Sequence, residues 1–160
     1  MITITQFEEK YTNDIIDLVL HFQNDGTRPL VTVADQPDLL NIREEYINAG
    51  GNFWIAKDNE RLIGSVGIMP VENNIAVMKK FFVYEEYQSE PHHTGRKLYA
   101  KLLDFAKDKK FIALVLDTPH NTVRAHDFYH RAGFRQITEE ELPVKFHRPY
   151  KESDFFLLKL

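Results

Sequence analysis

The chain has 160 residues, of which 43% are hydrophobic and 28% are charged, values that are ordinary for a globular domain with a sizeable core. Its net charge of −4 provides no basic surface for nucleic acid or for an anionic membrane. No cysteine is present, which excludes disulfides, cysteine-ligated metals and a cysteine nucleophile. The first residues lack the basic and apolar regions of a signal peptide, so we expect a single cytoplasmic domain over residues 1–160.

The first fifty residues predict one strand and two helices. Residues 2–7 carry apolar side chains mostly in alternation, which indicates a strand. Two later segments carry apolar side chains at helical spacing. The first set is Ile15, Leu18, Val19 and Phe22, and the second is Leu39, Ile42, Tyr46 and Ala49. The second helix is expected to begin near Asp35-Gln-Pro37 and to end at Gly50-Gly51.

The next segments predict an antiparallel meander. Three extended stretches cover 53–57, 62–69 and 75–83. Asp58-Asn59 separates the first two stretches, and Glu72-Asn73-Asn74 separates the last two, as turn residues do.

A helix and a buried strand follow. Leu98, Leu102 and Phe105 mark the apolar side of a helix over 95–109. The unbroken apolar segment 111–116 is typical of a strand that is buried on both faces.

The stretch from Asn121 to Phe134 predicts the last helix. Its apolar stripe consists of Ala125, Phe128, Tyr129 and Ala132. Asn121 can cap the first turn, and Gly133 suits a left-handed residue that ends the helix. Strands are expected over 134–137 and 154–160. The long irregular stretch 139–153 between them is either a functional loop or a plain surface connection.

The pattern N-x-x-x-A-x-x-F-Y-x-x-x-G-F in the last helix resembles the fourth helix of the GNAT family of N-acetyltransferases. Phe81-Phe82-Val83-Tyr84 resembles the fourth strand of that family, and the resemblance covers nearly the whole chain. It implies a mixed α/β fold with the order β-α-α-β-β-β-α-β-α-β-β. The strands 75–83 and 111–116 should then be parallel neighbours that splay apart and leave a cleft for acetyl-CoA.

The resemblance also assigns candidate site residues. Tyr129 would be the catalytic residue, with its hydroxyl facing the departing thiolate. A backbone N–H near Val83 would face the thioester oxygen. Contacts to acetyl-CoA are implied for Phe82, Val83, His93, Thr94, Gly95, Arg96, Lys97 and Asn121.

The expected phosphate-binding turn departs from the family pattern Q/R-x-x-G-x-G/A. This chain has Gln88-Ser-Glu-Pro-His-His-Thr-Gly95 instead. Either Gln88 is the first position and the loop carries two extra residues, or Glu90 is the first position and His93 replaces the middle glycine. We prefer the first alignment, because it keeps the family spacing from the strand. The turn would hold the pyrophosphate with unpaired N–H groups at a helix N-terminus.

The resemblance implies an N-acetyltransferase that moves an acetyl group from acetyl-CoA directly to a primary amine. The acceptor is a small molecule or a protein, and the chain is a monomer or a homodimer. The alternative is a non-catalytic acyl-CoA-binding or regulatory module, which the altered turn favours. No metal is expected, because no acidic pair accompanies His92-His93. Candidates for the general base on position alone are Glu72, Glu85, Glu86 and His120.

Overall fold

The computed structural model describes residues 1–120, 122–150 and 152–160. The strands are β1 (Ile2–Gln6), β2 (Asn52–Asp58), β3 (Arg61–Pro70), β4 (Ile75–Val83), β5 (Ala113–Thr118), β6 (Arg135–Ile137) and β7 (Asp154–Lys159). The α-helices are α1 (Thr12–Gln23), α2 (Thr94–Asp108) and α3 (Val123–Arg131).

The strands form one seven-stranded sheet in the order β1-β2-β3-β4-β5-β7-β6. Neighbours pair antiparallel except β4 and β5, which are parallel and are joined by α2. Pairing between β4 and β5 covers only Ile75–Val77 and Ala113–Val115, whereas the strands continue to Val83 and Thr118. The expected mixed α/β fold and its splayed parallel pair are thus confirmed, and the splay leaves an opening beside the two strand ends.

The sheet is covered on both faces. On one face, which we call the α2–α3 face, Leu98 and Leu102 of α2 and Tyr129 of α3 pack with Leu114 and Leu116 of β5. The opposite face, which we call the α1 face, is covered by α1 and by the segment 31–47. Beyond β4 on the α1 face, a third cluster joins β4, β5 and β7 to residues 142–146.

The second predicted helix is not a regular α-helix, which corrects the expected element order. The chain instead forms two 3₁₀ turns, Val33–Asp35 and Pro37–Leu40, followed by a five-residue π-helix, Arg43–Ile47. Asn41 lies between them with a non-helical backbone (φ −140°, ψ 49°) and interrupts the helix. Three of the four predicted apolar positions are buried all the same, and Ala49 is exposed.

A bulge distorts β4 where it lies beside Ser65 and Gly67 of β3. Lys80 sits in this bulge with a left-handed backbone (φ +56°), which is unusual for a residue other than glycine, asparagine or aspartate. The buried hydroxyl of Ser65 donates a hydrogen bond to the carbonyl oxygen of Lys80 at 2.7 Å. This bond ties β3 to β4 at the bulge.

The last helix ends as the sequence predicts. Tyr129 is buried on the predicted apolar stripe, and Gly133 has the left-handed backbone (φ +93°) of a helix terminus. Asn121, the predicted cap, lies outside the described residues.

Candidate functional site

The backbone of β4 turns the N–H and C=O groups of Val83 toward the opening. The N–H of Tyr84 donates to the carbonyl oxygen of Ile63 in β3 at 3.0 Å. Because bonded and non-bonded pairs alternate along an antiparallel ladder, the N–H and C=O of Val83 point away from β3. The carbonyl oxygen of Val83 accepts a bond from Gln88 Nε2 at 2.7 Å, and its N–H has no partner among the described residues.

Phe82 faces the other way. It pairs with Ser65 in the bonded register of the ladder, so its N–H is directed to β3. Its ring stacks on Phe22 of α1 with 5.6 Å between centroids and 14° between planes. Of the backbone N–H groups at the two positions predicted on this strand, only that of Val83 points away from β3 toward the opening.

Tyr129 lies on the α2–α3 face beside the opening. Its ring packs against Phe134 and Phe156, with centroid distances of 5.6 and 5.4 Å. Burial raises the pKa of the phenol well above its usual value, and the nearby charge of Asp117 and the neighbouring Tyr99 raise it further. No described residue forms a hydrogen bond with the hydroxyl, which stays protonated at neutral pH and is free to donate.

The N-terminus of α2 presents unpaired donors. Within residues 1–120, 122–150 and 152–160, no side chain caps the first turn, and the first backbone bond runs from the N–H of Lys97 to the carbonyl oxygen of His93. The N–H groups of Thr94, Gly95 and Arg96 consequently lack a partner among the described residues. The hydroxyl of Thr94 is buried and also unpaired. An anion at this turn would satisfy these donors.

His93 and Gly95 have different backbones in this turn. His93 has the left-handed backbone (φ +46°) that glycine adopts most readily, and one of the two alignments places the missing glycine at this residue. Gly95 is an ordinary helical residue, and a Cβ there would point at the ring of Phe81, 3.6 Å from its Cζ. Arg96 and Lys97 are exposed and have no ion-pair partner among the described residues.

Of the four candidate bases, Glu72 lies away from the opening and His120 is paired with a carboxylate. Glu72 precedes β4, at the end of that strand remote from Val83. His120 Nδ1 lies 2.6 Å from Asp154 Oδ1. The other oxygen of Asp154 lies 3.3 Å from His126 Nε2 of α3, and Asp154 pairs with Thr118 at the C-terminal end of β5.

The other two candidate bases are exposed and paired elsewhere. Glu85 Oε1 lies 2.8 Å from His21 Nε2 of α1. Glu86 Oε1 lies 4.0 Å from a guanidinium nitrogen of Arg61 in β3. Neither carboxylate is directed at Tyr129.

Asp117 lies at the opening and was not among the residues predicted from the sequence. It is the fifth residue of β5, past the point where β5 pairs with β4. Its Oδ2 accepts a hydrogen bond from the hydroxyl of Ser153 at 3.1 Å. Burial raises the pKa of the carboxyl group, and this effect outweighs the opposing influence of Ser153, Lys79, Arg148 and Lys80. The available sequence signal was a single acid that directly follows the apolar segment 111–116.

A buried polar network lies on the α1 face beside Asp117. Lys80 Nζ donates to Gln36 Oε1 at 2.5 Å and lies 3.8 Å from Asp38 Oδ2. Gln23 Nε2 donates to the same oxygen of Gln36 at 3.1 Å. Burial lowers the pKa of Lys80 to about 8, and the Asp38 charge opposes this shift only in part.

The irregular stretch after β6 covers this network. The hydroxyl of Tyr150 donates to the carbonyl oxygen of Gln23 at 3.1 Å. His147 Nε2 lies 2.7 Å from the carbonyl oxygen of Asp35, and Lys79 Nζ donates to the carbonyl oxygen of His147 at 3.0 Å. The stretch therefore packs on the α1 face next to the opening.

The part of the chain that the structure describes contains neither a metal-binding cluster nor a membrane-spanning helix. No group of three or more His, Asp or Glu side chains is arranged to hold a metal ion. None of the helices there is both long enough and apolar enough to cross a membrane.

Solved structures with the same architecture include two bacterial acetyltransferases. An acetyltransferase from Streptococcus agalactiae is 36% identical, with a TM-score of 0.94 and coverage of 99% of this chain and 98% of that one. A GNAT-family acetyltransferase from Staphylococcus aureus is 29% identical, with a TM-score of 0.92 and coverage of 99% of both chains.

Curated relatives share part of their length with this chain. N-acetyltransferase 8B of Homo sapiens is 27% identical over 110 residues, which are 66% of this chain and 48% of that protein. The chain spans about half the length of the curated relatives it matches. A sequence profile described as the acetyltransferase (GNAT) family matches residues 17–134. With most of its length matched by that profile, the chain belongs to the GNAT acetyltransferase family.

Proposed function

We propose that this chain is an N-acetyltransferase that transfers an acetyl group from acetyl-CoA directly to a primary amine. The observation that carries the proposal is the opening between β4 and β5, where the hydroxyl of Tyr129 and the N–H of Val83 are both unpaired among the described residues. Acyl transfer from a thioester develops negative charge on the carbonyl oxygen and on the sulfur. Two donors already in place can stabilise both charges.

The residues at the start of α2 fit a pyrophosphate. The free N–H groups of Thr94, Gly95 and Arg96 point out of the first turn, where the positive end of the helix dipole attracts an anion. The unpaired hydroxyl of Thr94 can serve as a further donor. We propose that Arg96 and Lys97 add charge from the surface, and that His93 closes the turn through its left-handed backbone.

The pantetheine arm is proposed to lie along the free edge of β4. The N–H of Val83 has no partner there in the described part of the chain, and an extended ligand can pair with such an edge as an added strand would. Asn121, which lies outside the described residues, is proposed as a second contact. Phe82 directs its N–H to β3, so we propose Val83 as the backbone contact on this strand.

Tyr129 is proposed to stabilise the departing thiolate. Its raised pKa keeps the phenol protonated, so it donates a hydrogen bond and is not itself a base. Val83 donates its N–H to the carbonyl oxygen while the amine attacks. The product amide and the free thiol then leave.

Several features are proposed from the sequence alone. We propose that residues 1–160 work as one cytoplasmic domain, as a monomer or homodimer, without a metal, nucleic acid or membrane partner. The composition, the net charge of −4 and the lack of cysteine support this proposal. The acceptor is a primary amine of a small molecule or of a protein.

The proposal is tested by thiol release from acetyl-CoA in the presence of alkylamines, amino acids and peptides with free amino groups. Tyr129→Phe should lower turnover by about 100-fold while leaving the affinity for acetyl-CoA unchanged, because only a positioned donor is removed. Tyr99→Phe is a matched control, since the Tyr99 hydroxyl is also buried and has no partner among the described residues. It should retain wild-type turnover.

Two outcomes would contradict this account. Wild-type rates in Tyr129→Phe would remove that hydroxyl from the mechanism. Binding of acetyl-CoA without turnover across the whole panel would support the acyl-CoA-binding module instead.

A further inference from the structure

Asp117 reaches the opening from the α1 face of the sheet. Side chains alternate between faces along a strand. Val115, two residues before Asp117, packs in the cluster of the α1 face, whereas Leu116 packs in the cluster of the α2–α3 face. Asp117 therefore shares the α1 face with Val115, and the bond from Ser153 holds its carboxylate there.

Tyr129 reaches the same opening from the other face. The charge of Asp117 is close enough to raise the pKa of the Tyr129 phenol, although the two side chains start from opposite sides of the sheet. They can approach each other because β4 and β5 no longer pair at this level. A reacting group in the opening would thus have a neutral phenol on one side and a carboxylate on the other.

Three cations act on the carboxylate of Asp117. Lys79 and Lys80 of β4 and Arg148 of the stretch after β6 all lie close enough to influence the pKa of Asp117. Positive charge at this place disfavours an ammonium group and favours the neutral amine. These cations oppose the hold that the carboxylates of Asp117 and Asp38 would have on an ammonium group, and Asp117 is the anionic group placed at the opening to receive the proton.

We infer that Asp117 is the general base, whose carboxylate accepts a proton from the acceptor amine on the α1 face of the opening. The inference rests on the proposed acetyl transfer and adds the residue and the side of approach. Of the four candidates predicted from the sequence, three are already engaged, in the His21–Glu85, Arg61–Glu86 and His120–Asp154 pairs, and Glu72 lies at the far end of β4.

The step balances in atoms and charge. One proton passes from the ammonium group of the acceptor to the carboxylate of Asp117, which later releases it to water. The amine nitrogen forms a bond to the acetyl carbon, and the bond between that carbon and sulfur breaks. The nitrogen gives up a second proton, and the thiolate that Tyr129 stabilises takes up a proton to leave as the thiol.

Amines of graded basicity distinguish proton removal from a structural role. Ethylamine, fluoroethylamine and trifluoroethylamine are similar in size, and their conjugate acids become progressively stronger. At one pH near neutrality, Asp117→Asn should lower kcat/KM for ethylamine by about 100-fold, the low end for a positioned base. The loss should shrink along the series, because trifluoroethylamine is already largely neutral and needs no base.

Control variants separate chemistry from folding. Asp117→Asn keeps the shape of the side chain and an oxygen that Ser153 can reach, so acetyl-CoA affinity by calorimetry should not change. Asp117→Glu keeps the carboxylate and should restore part of the rate with ethylamine. Asp127→Asn removes an exposed acid of α3 and should retain wild-type rates throughout. If Asp117→Asn does not fold, Asp117→Ser removes the carboxylate in the same test.

The outcomes are distinct. An equal loss for all three amines, or no loss for any, would overturn the role of Asp117 and leave the acetyl transfer intact. No thiol release by the wild-type chain with any amine would overturn the proposed function and this inference together.

Discussion

The buried Lys80 should make the free energy of unfolding rise with pH in the alkaline range. Its ammonium group is buried, and burial lowers its pKa from 10.5 to about 8. A depressed lysine pKa means that the folded chain disfavours the charged form. The cost of about 3.4 kcal/mol, at about 1.36 kcal/mol per pKa unit, applies in full well below pH 8 and disappears above the unfolded value. Stability attributable to Lys80 therefore rises as the pH rises from about 8 to 10.5.

Comparison with Lys80→Met isolates this effect. Between pH 7 and 10, the wild-type chain should gain about 2.5 kcal/mol in free energy of unfolding relative to the variant, because the variant has no amine to titrate. The charges that act on Lys80, from Asp38, Lys79 and Asp117, are present in both proteins, so their direct contribution largely cancels in the difference. The absolute stabilities need not agree, since Lys80→Met also removes the bond to Gln36.

Urea denaturation followed by the fluorescence of Trp54, the single tryptophan, measures the difference. Lys101→Met is the control, because Lys101 is exposed on α2 and should show no such dependence on pH. A constant difference between wild type and Lys80→Met from pH 7 to 10 would refute the reasoning. It would mean that Lys80 is solvated or that Asp38 compensates its charge fully.

Three further substitutions test the packing, a left-handed backbone and a buried hydrogen bond around the site. Gly67→Ala should destabilise the fold by about 1–3 kcal/mol, because a Cβ there would lie 2.7 Å from the ring of Phe53 and 2.8 Å from that of Tyr46, and unfolding in urea would show it. His93→Gly should stabilise the chain by about 1 kcal/mol, because glycine adopts the left-handed backbone of this position without strain. The affinity for acetyl-CoA, measured by calorimetry, should not change. A fall in affinity would reveal a direct contact between the His93 ring and acetyl-CoA. Ser65→Ala should cost about 1–3 kcal/mol in thermal or urea unfolding by leaving a buried carbonyl oxygen in the bulge of β4 unpaired, whereas a neutral result would show that water replaces the hydroxyl.

Local patterns in the sequence were sufficient for most elements. The apolar stripe that contains Tyr129 and the left-handed Gly133 follow from the periodicity and turn chemistry of adjacent residues. The parallel pairing of Ile75–Val83 with the strand after α2 was implied by the family resemblance. The prediction of a second α-helix was wrong, because burial of Leu39 and Tyr46 is compatible with 3₁₀ and π turns as well as with an α-helix. The spacing of apolar residues specifies which side of the segment is buried, but it does not determine the pattern of backbone hydrogen bonds.

The sequence by itself determined the family pattern, the buried face of each helix and the placement of Tyr129 beside a pair of parallel strands. Only the tertiary structure decided that Asp117 shares the opening with Tyr129, that Phe82 turns its N–H away from it, and that Lys80 is buried. These facts depend on the register of β3 against β4 and on where the pairing of β4 with β5 stops. Register and splay arise from contacts between residues that are distant in the chain, so no local pattern of residue types encodes them.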